Sequence, residues 1–258
     1  MIVAASPPVA GRADYEAIGP PRNSPPIAVE ALAGGARSVI VGRPDAFPPT
    51  PAEIPMTDFA RIVFAKKGEK PAGALVLLAG PDAVLGPQAR ALGLDDLVRR
   101  AAELREFTGK ARSTLELITS AGAGVTRVIL VGTGDPAAIG DNDWTTFGGA
   151  AMGAIGNASS ATVFFERPDG RRAPRHAAAD FALGMKLRAY EFDQYKPSKD
   201  DNGNRRKKPA DIAIVVSDVA GARSAWVSRA ALAEGVLLAR DLVNEPPNML
   251  GPVEFADR

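Results

Sequence analysis

The sequence predicts an α/β sandwich in which a mixed, mainly parallel sheet is flanked by helices and followed by a long connecting helix. Three observations point there. From Asp58 onward, short apolar runs alternate with stretches of helical period, the pattern of a layered α/β domain. The run RVILV at 127–131 is apolar and β-branched throughout, as a strand covered on both faces requires. Near the end, Leu232, Val236, Ala239 and Val243 recur at spacings of four, three and four, which draws one apolar stripe along a helix.

Taken in order, residues 1–57 are dense in proline and glycine and carry no sustained period, so they read as a mostly irregular extension. A strand at 38–41 is the one regular element expected there. The proline runs can be read as a ligand for a partner domain or as a plain leader, and composition favours the leader. Phe59 to Ala65 and Gly73 to Ala79 read as strands separated by the charged turn KKGEKP. Leu94 to Leu104 is an amphipathic helix with Leu94, Leu97, Val98, Ala101 and Leu104 on its apolar side. Ser113 to Thr119 alternates like a half-buried strand, and RVILV follows.

A helix rich in small residues covers Thr145 to Ile155, and a strand covers Thr162 to Glu166. The helix Ala177 to Phe192, with Phe181, Met185 and Arg188 on one face, leads to the polar loop KPSKDDNGNRRKKP and the strand Asp211 to Val216. The last long helix stops near Val243 or Asn244, because Glu245 precedes Pro246 and a residue before proline is pushed out of the α region. A further helix starts at Pro252, with Glu254 in its first turn. It has only begun at Arg258, so the chain is expected to be the front part of a longer protein. The expected division is an extension at 1–57, an α/β domain at 58–220, and a connecting helix with the start of a further domain at 221–258.

Composition narrows the function classes. Lys+Arg 31 against Asp+Glu 30 gives a formal net charge of +1, so no global field draws the chain to nucleic acid or an anionic membrane. Hydrophobic residues at 46% and charged residues at 24% describe a chain able to bury a core. No apolar run approaches the roughly 20 residues of a membrane helix. The absence of cysteine removes disulfides, thiolate nucleophiles and zinc–thiolate sites, and fits a cytoplasmic protein.

Four motifs carry possible chemistry. Gly132-Thr133-Gly134-Asp135-Pro136-Ala137 follows a strand and fits the loose G-x-G-x-x-G/A dinucleotide pattern, with Glu166 placed to reach a ribose. Asp135 would set a negative charge beside a pyrophosphate and Pro136 removes a backbone N–H, so a strand-exit turn is the competing reading. Arg205-Arg206-Lys207-Lys208 suits phosphate or a solvated loop tip. DDNGN resembles a calcium loop only until Arg205, where such a loop needs glycine, and Asp141 and Asp143 read as helix-capping residues. His176, the single histidine, lies among basic residues with no G-x-S-x-G or H-E-x-x-H signature in the chain, and is expected at the surface. No residue is assigned as catalytic, cofactor-binding or metal-ligating.

Glu234-Gly235, Ala239-Arg240-Asp241-Leu242-Val243-Asn244-Glu245-Pro246-Pro247-Asn248, Pro252 and Glu254-Phe255-Ala256 closely resemble the domain junction of the leucyl aminopeptidase (cytosol aminopeptidase) family. Gly184, Leu187, Ala189-Tyr190, Phe192-Asp193 and Tyr195-Lys196 resemble the family's LG..LRAY.FD.YK helix, and Phe107-Thr108-Gly109-Lys110 with RVILVGTG is similar to its amino-terminal domain. The resemblance spans roughly Asp58 to Arg258, and Gly251 departs from it where the family has a hydroxyl residue. It implies a macro-domain-like amino-terminal fold and, beyond it, a catalytic domain whose two divalent metals (Zn or Mn) activate water for attack on the first peptide bond. It also implies peptide substrates, a homohexamer and a cytoplasmic location. The family's lysine-bearing Gly-rich stretch and Asn-Thr-Asp-Ala-Glu-Gly-Arg run do not occur in these residues. The chain alone is therefore expected to be an inactive structural or assembly domain. A macro-like or Rossmann-like nucleotide module using the Gly132–Ala137 turn is the alternative.

Overall fold

The computed structural model describes residues 60–256 apart from 69, 120–123, 193–194 and 196–209. The described residues all belong to one unit, Ile54–Arg258. The proline-rich extension, the strand expected at 38–41, the DDNGN turn and the basic run 205–208 lie outside the described residues, as do Asp193 and Lys196.

Six strands build the sheet among the described residues: β1 (Ala60–Lys66), β2 (Gly73–Ala79), β3 (Thr114–Ile118), β4 (Val125–Gly132), β5 (Ser160–Phe164) and β6 (Ala210–Val216). Their spatial order is β1-β6-β5-β2-β4-β3. Every neighbouring pair is parallel except β3 with β4, so the sheet is mixed and mainly parallel, as the sequence predicts. The helices are α1 (Pro87–Arg90), α2 (Asp95–Leu104), α3 (Asp141–Ile155), α4 (Ala177–Ala189), α5 (Val219–Asn244) and α6 (Pro252–Ala256).

Alternation along the strands sorts the core into two layers. Ala74, Val76 and Leu78 of β2 face the layer of α3 and α4 residues, joined there by Ile129 and Val131 of β4. Leu75, Leu77 and Ala79 face the other layer with Val128 and Leu130, beneath Leu94 and Val98. Both sides of β2 are apolar because both are covered, whereas edge strand β3 alternates buried Leu115 with exposed Thr114 and Glu116.

Two local expectations change. On α2 the buried row is Leu94, Val98 and Ala102, spaced by four, while Leu97 is 41% exposed and Leu104 84% exposed. The helix rests on the i, i+4 ridge, so its apolar stripe is narrower than the sequence suggests. Helix α4 stops at Ala189 rather than Phe192, since Tyr190 is already extended. Helix α1 and the short 3-10 turns at Pro81–Ala83 and Pro136–Ala138 have no apolar period to announce them.

Helices α3 and α4 pack closely through glycine. A Cβ at Gly148 would overlap the carbonyl oxygen of Phe181, and one at Gly184 would overlap that of Thr145. Trp144, Phe165 and Phe181 then stack beside this contact with ring centroids 5.4 and 5.5 Å apart. Helix α5 differs in kind. Its 26 residues bury Ala222, Ala233 and Leu237, and Trp226 meets Phe64 edge-on at 6.2 Å.

Candidate functional site

The two stretches that carry the family resemblance meet in space. Tyr190, just past α4, donates its hydroxyl hydrogen to Asp241 Oδ1 on α5 at 2.6 Å and accepts from Asn244 Nδ2 at 3.2 Å. The Arg240 guanidinium lies over the Tyr190 ring, 4.1 Å from its centroid, and its Nη1 donates to the Leu187 carbonyl at 2.9 Å. Five residues on, the Tyr195 hydroxyl bonds Glu245 Oε2, and Glu245 is buried at the corner where α5 ends. A pre-proline residue cannot continue the helix, so the α5 terminus is fixed twice, by Pro246 and by this clasp. Burial first, then the bond to Asp241, raises the Tyr190 pKa above the usual tyrosine value.

The helix end is fixed, but its apolar stripe is not covered. Leu232 (55% exposed), Val236 (37%) and Val243 (84%) all face outward, and Ala239 is exposed with them. The buried row Ala222, Ala233 and Leu237 lies on a different face. After the corner, Met249, Val253 and Phe255 are exposed too. Helix α6 begins at Pro252 as predicted.

The glycine turn after β4 is committed to the protein's own backbone. The Gly132 N–H donates to the Ser113 carbonyl at 2.8 Å, Thr133 N–H to Ala79 at 2.8 Å and Gly134 N–H to Gly109 at 2.9 Å. The Ala137 N–H is taken by Asp135 Oδ1 at 2.9 Å. Gly132 is small because the Lys110 carbonyl sits where a Cβ would be, and Gly134 is glycine because φ is +66°. A phosphate cradle needs those same N–H groups pointing outward.

Glu166 does not reach for a ribose either. Its carboxylate accepts from the Gln88 and Ala89 N–H groups at 3.0 and 2.8 Å, capping α1 from just past the end of the neighbouring strand β5. Sequence reasoning missed this role because donor and acceptor are 78 residues apart.

His176 is more enclosed than expected. It stands at the start of α4 with Nε2 3.2 Å from Asp141 Oδ1 and 3.9 Å from Asp180 Oδ2, and its side chain is 37% exposed. Asp180 is buried and paired with Arg229 Nε of α5 at 2.7 Å, so the group ties the starts of α3 and α4 to α5. Asp143 caps α3 as predicted, accepting from the Gly140 N–H at 2.9 Å. Among the described residues no three His, Cys, Asp or Glu side chains converge as a metal site would require, so the residues present do not fit a dinuclear centre. No described helix is long and apolar enough to cross a membrane.

Comparison with known proteins places these features. Residues 76–199 match the cytosol aminopeptidase family, N-terminal domain. The chain is 44% identical over 196 residues to a protein of Rhizobium meliloti (strain 1021) named "Probable cytosol aminopeptidase", covering 76% of this chain and 39% of that one. A protein of the same name from Afipia carboxidovorans is 42% identical over 206 residues, covering 79% and 41%. The chain thus spans about two fifths of the length of these relatives. Among solved structures, a tomato leucine aminopeptidase mutant superposes with a TM-score of 0.62 at 20% identity, over 78% of this chain and 41% of that one. The bottromycin maturation enzyme BotP in complex with Mn gives 0.53 at 24% identity, over 72% and 34%. At those identities the structures speak for the fold alone.

Proposed function

Since this chain carries the amino-terminal domain of the cytosol aminopeptidase family, we propose that it is the structural and assembly portion of a leucyl-aminopeptidase-like metallopeptidase that releases amino-terminal residues from peptides. The clasp of Tyr190 and Tyr195 on Asp241, Asn244 and Glu245 carries this reading, because it joins the two family-like stretches at the carboxyl end of the connecting helix, where the chain turns at Pro246. The same reading divides the chain into an extension at 1–57, a macro-like domain at 58–220, and a connecting helix with the start of the catalytic domain at 221–258.

Peptide substrates, a homohexameric assembly and a cytoplasmic location come with the family and are proposed for the whole enzyme. So are two divalent ions, Zn or Mn, whose chemistry is activation of water for attack on the peptide bond. No step is assigned to the residues described here. They hold and orient the connecting helix.

The test is direct. The purified 258-residue chain, supplied with Mn or Zn and an aminoacyl amide, should show no turnover above the rate of buffer with metal alone. Metal-dependent release that copurifies with the chain through successive columns overturns the reading.

A further inference from the structure

At the carboxyl ends of β1, β5 and β6 lies a cleft of about 230 Å³ whose charge the peptidase reading does not use. Its cations are Lys67, Arg167, Arg171, Arg172 and Arg175, against the acids Glu166 and Asp218. Both acids are occupied. Glu166 caps α1, and Asp218 accepts from the Gly221 N–H at 2.9 Å at the start of α5. Arg167 is held rigidly by two bonds to Asp169, at 3.0 and 2.7 Å, and by one to the Pro136 carbonyl at 2.7 Å. Arg172 reaches Asp218 only at 3.7 Å, and among the described residues Lys67 and Arg175 meet no acceptor.

We propose that this cleft binds the phosphate group of a small phosphate ester or of inorganic phosphate. With Asp169, which is tied to Arg167, counted among the acids, the cations exceed them by two, an excess that suits a dianion better than a monocarboxylate. Guanidinium forks match phosphate oxygens in pairs. The volume lies below the roughly 300 to 1,000 Å³ of clefts for drug-sized ligands, which favours a compact anion. Open α/β sheets place ligands outside the carboxyl ends of their strands, as here. The side chains supply the site, since the Gly221 N–H at the α5 start is already taken by Asp218. Because this binding needs no peptidase, the proposal stands or falls separately from the one above.

Calorimetric titration of the full chain at low salt, with inorganic phosphate and with glycerol phosphate, tests it. One saturable site is expected, weakened about tenfold in Arg175→Ala and again in Arg172→Ala, as loss of a hydrogen bond to a charged group implies. Lys67→Gln, a turn substitution with little bearing on folding, should also weaken binding, while Arg99→Ala on the exposed face of α2 should not. Tighter binding of the ester than of phosphate identifies an organic part that the cleft reads, and equal binding identifies a bare phosphate site. Absence of saturation in the millimolar range overturns the proposal. So do equal affinities in wild type and both arginine variants, succinate binding as well as phosphate, or an oligonucleotide that binds where phosphate does not.

Discussion

Helices α4 and α5 lie side by side and are built on opposite plans. Nine consecutive residues of α4, Ala177 to Met185, are buried, and the helix touches α3 so closely that Gly148 and Gly184 leave no room for a methyl group. Helix α5 is twice as long, yet buries three residues and turns Val227, Leu232, Leu238 and Val243 toward solvent. The first is held by shape, the second by a few polar clasps at its ends. A sequence rich in small and apolar residues therefore means opposite things in the two places: close packing in α4, an uncovered face in α5.

The largest test of this contrast is Gly184→Ala or Gly148→Ala, each expected to destabilise the fold by about 3 kcal/mol, since backbone atoms must move to admit the methyl. Denaturant unfolding followed by circular dichroism reads it, and a loss under 1 kcal/mol would break the contrast. On α5, Leu237→Ala should cost about 2 kcal/mol. Val243→Ala should change stability by no more than about 0.5 kcal/mol.

Tyr190→Phe should cost about 1 kcal/mol by removing the bonds to Asp241 and Asn244. It also has a pH signature. The folded Tyr190 pKa is raised, so its stabilisation is complete below the unfolded value of about 10 and is lost as pH rises through the higher folded value. Tyrosinate absorbance should show a late-titrating tyrosine in the wild type that the variant lacks. One substitution on α5 has the opposite sign. Gly235 lies mid-helix with open space around its Cβ position, so Gly235→Ala should stabilise by about 0.5 to 1 kcal/mol. Where α4 rejects a methyl group, α5 should welcome one.

The strands were legible in the sequence because period and β-branching are local properties. β2 coincides with the stretch read from GALVLLA, and the end of α5 follows from Glu245 preceding Pro246. The stripe of α5 was legible as a helical spacing, and the structure turns it outward. Long-range polar contacts were not. Glu166 looked like a ribose ligand and caps α1, and His176 looked solvated and lies between two carboxylates. The glycines of the β4 turn suit a ligand or a neighbouring backbone equally well, and only the positions of Gly109 and Lys110 decide for the backbone. The arginines of 167–175 are visible in the sequence as a basic cluster, but Lys67, about a hundred residues earlier, is brought to them only by the parallel strands.

The pairing of the edge strand β1 with β6 also has a consequence in time. Ala60 lies against Ala210, so β1 finds its partner strand about 150 residues later in the chain. At ordinary synthesis rates, that interval is roughly 8 to 30 s on the ribosome, during which Phe64 has no strand beside it. The rest of the sheet can assemble first, and β1 then docks last onto an edge that exists only once β6 has been made.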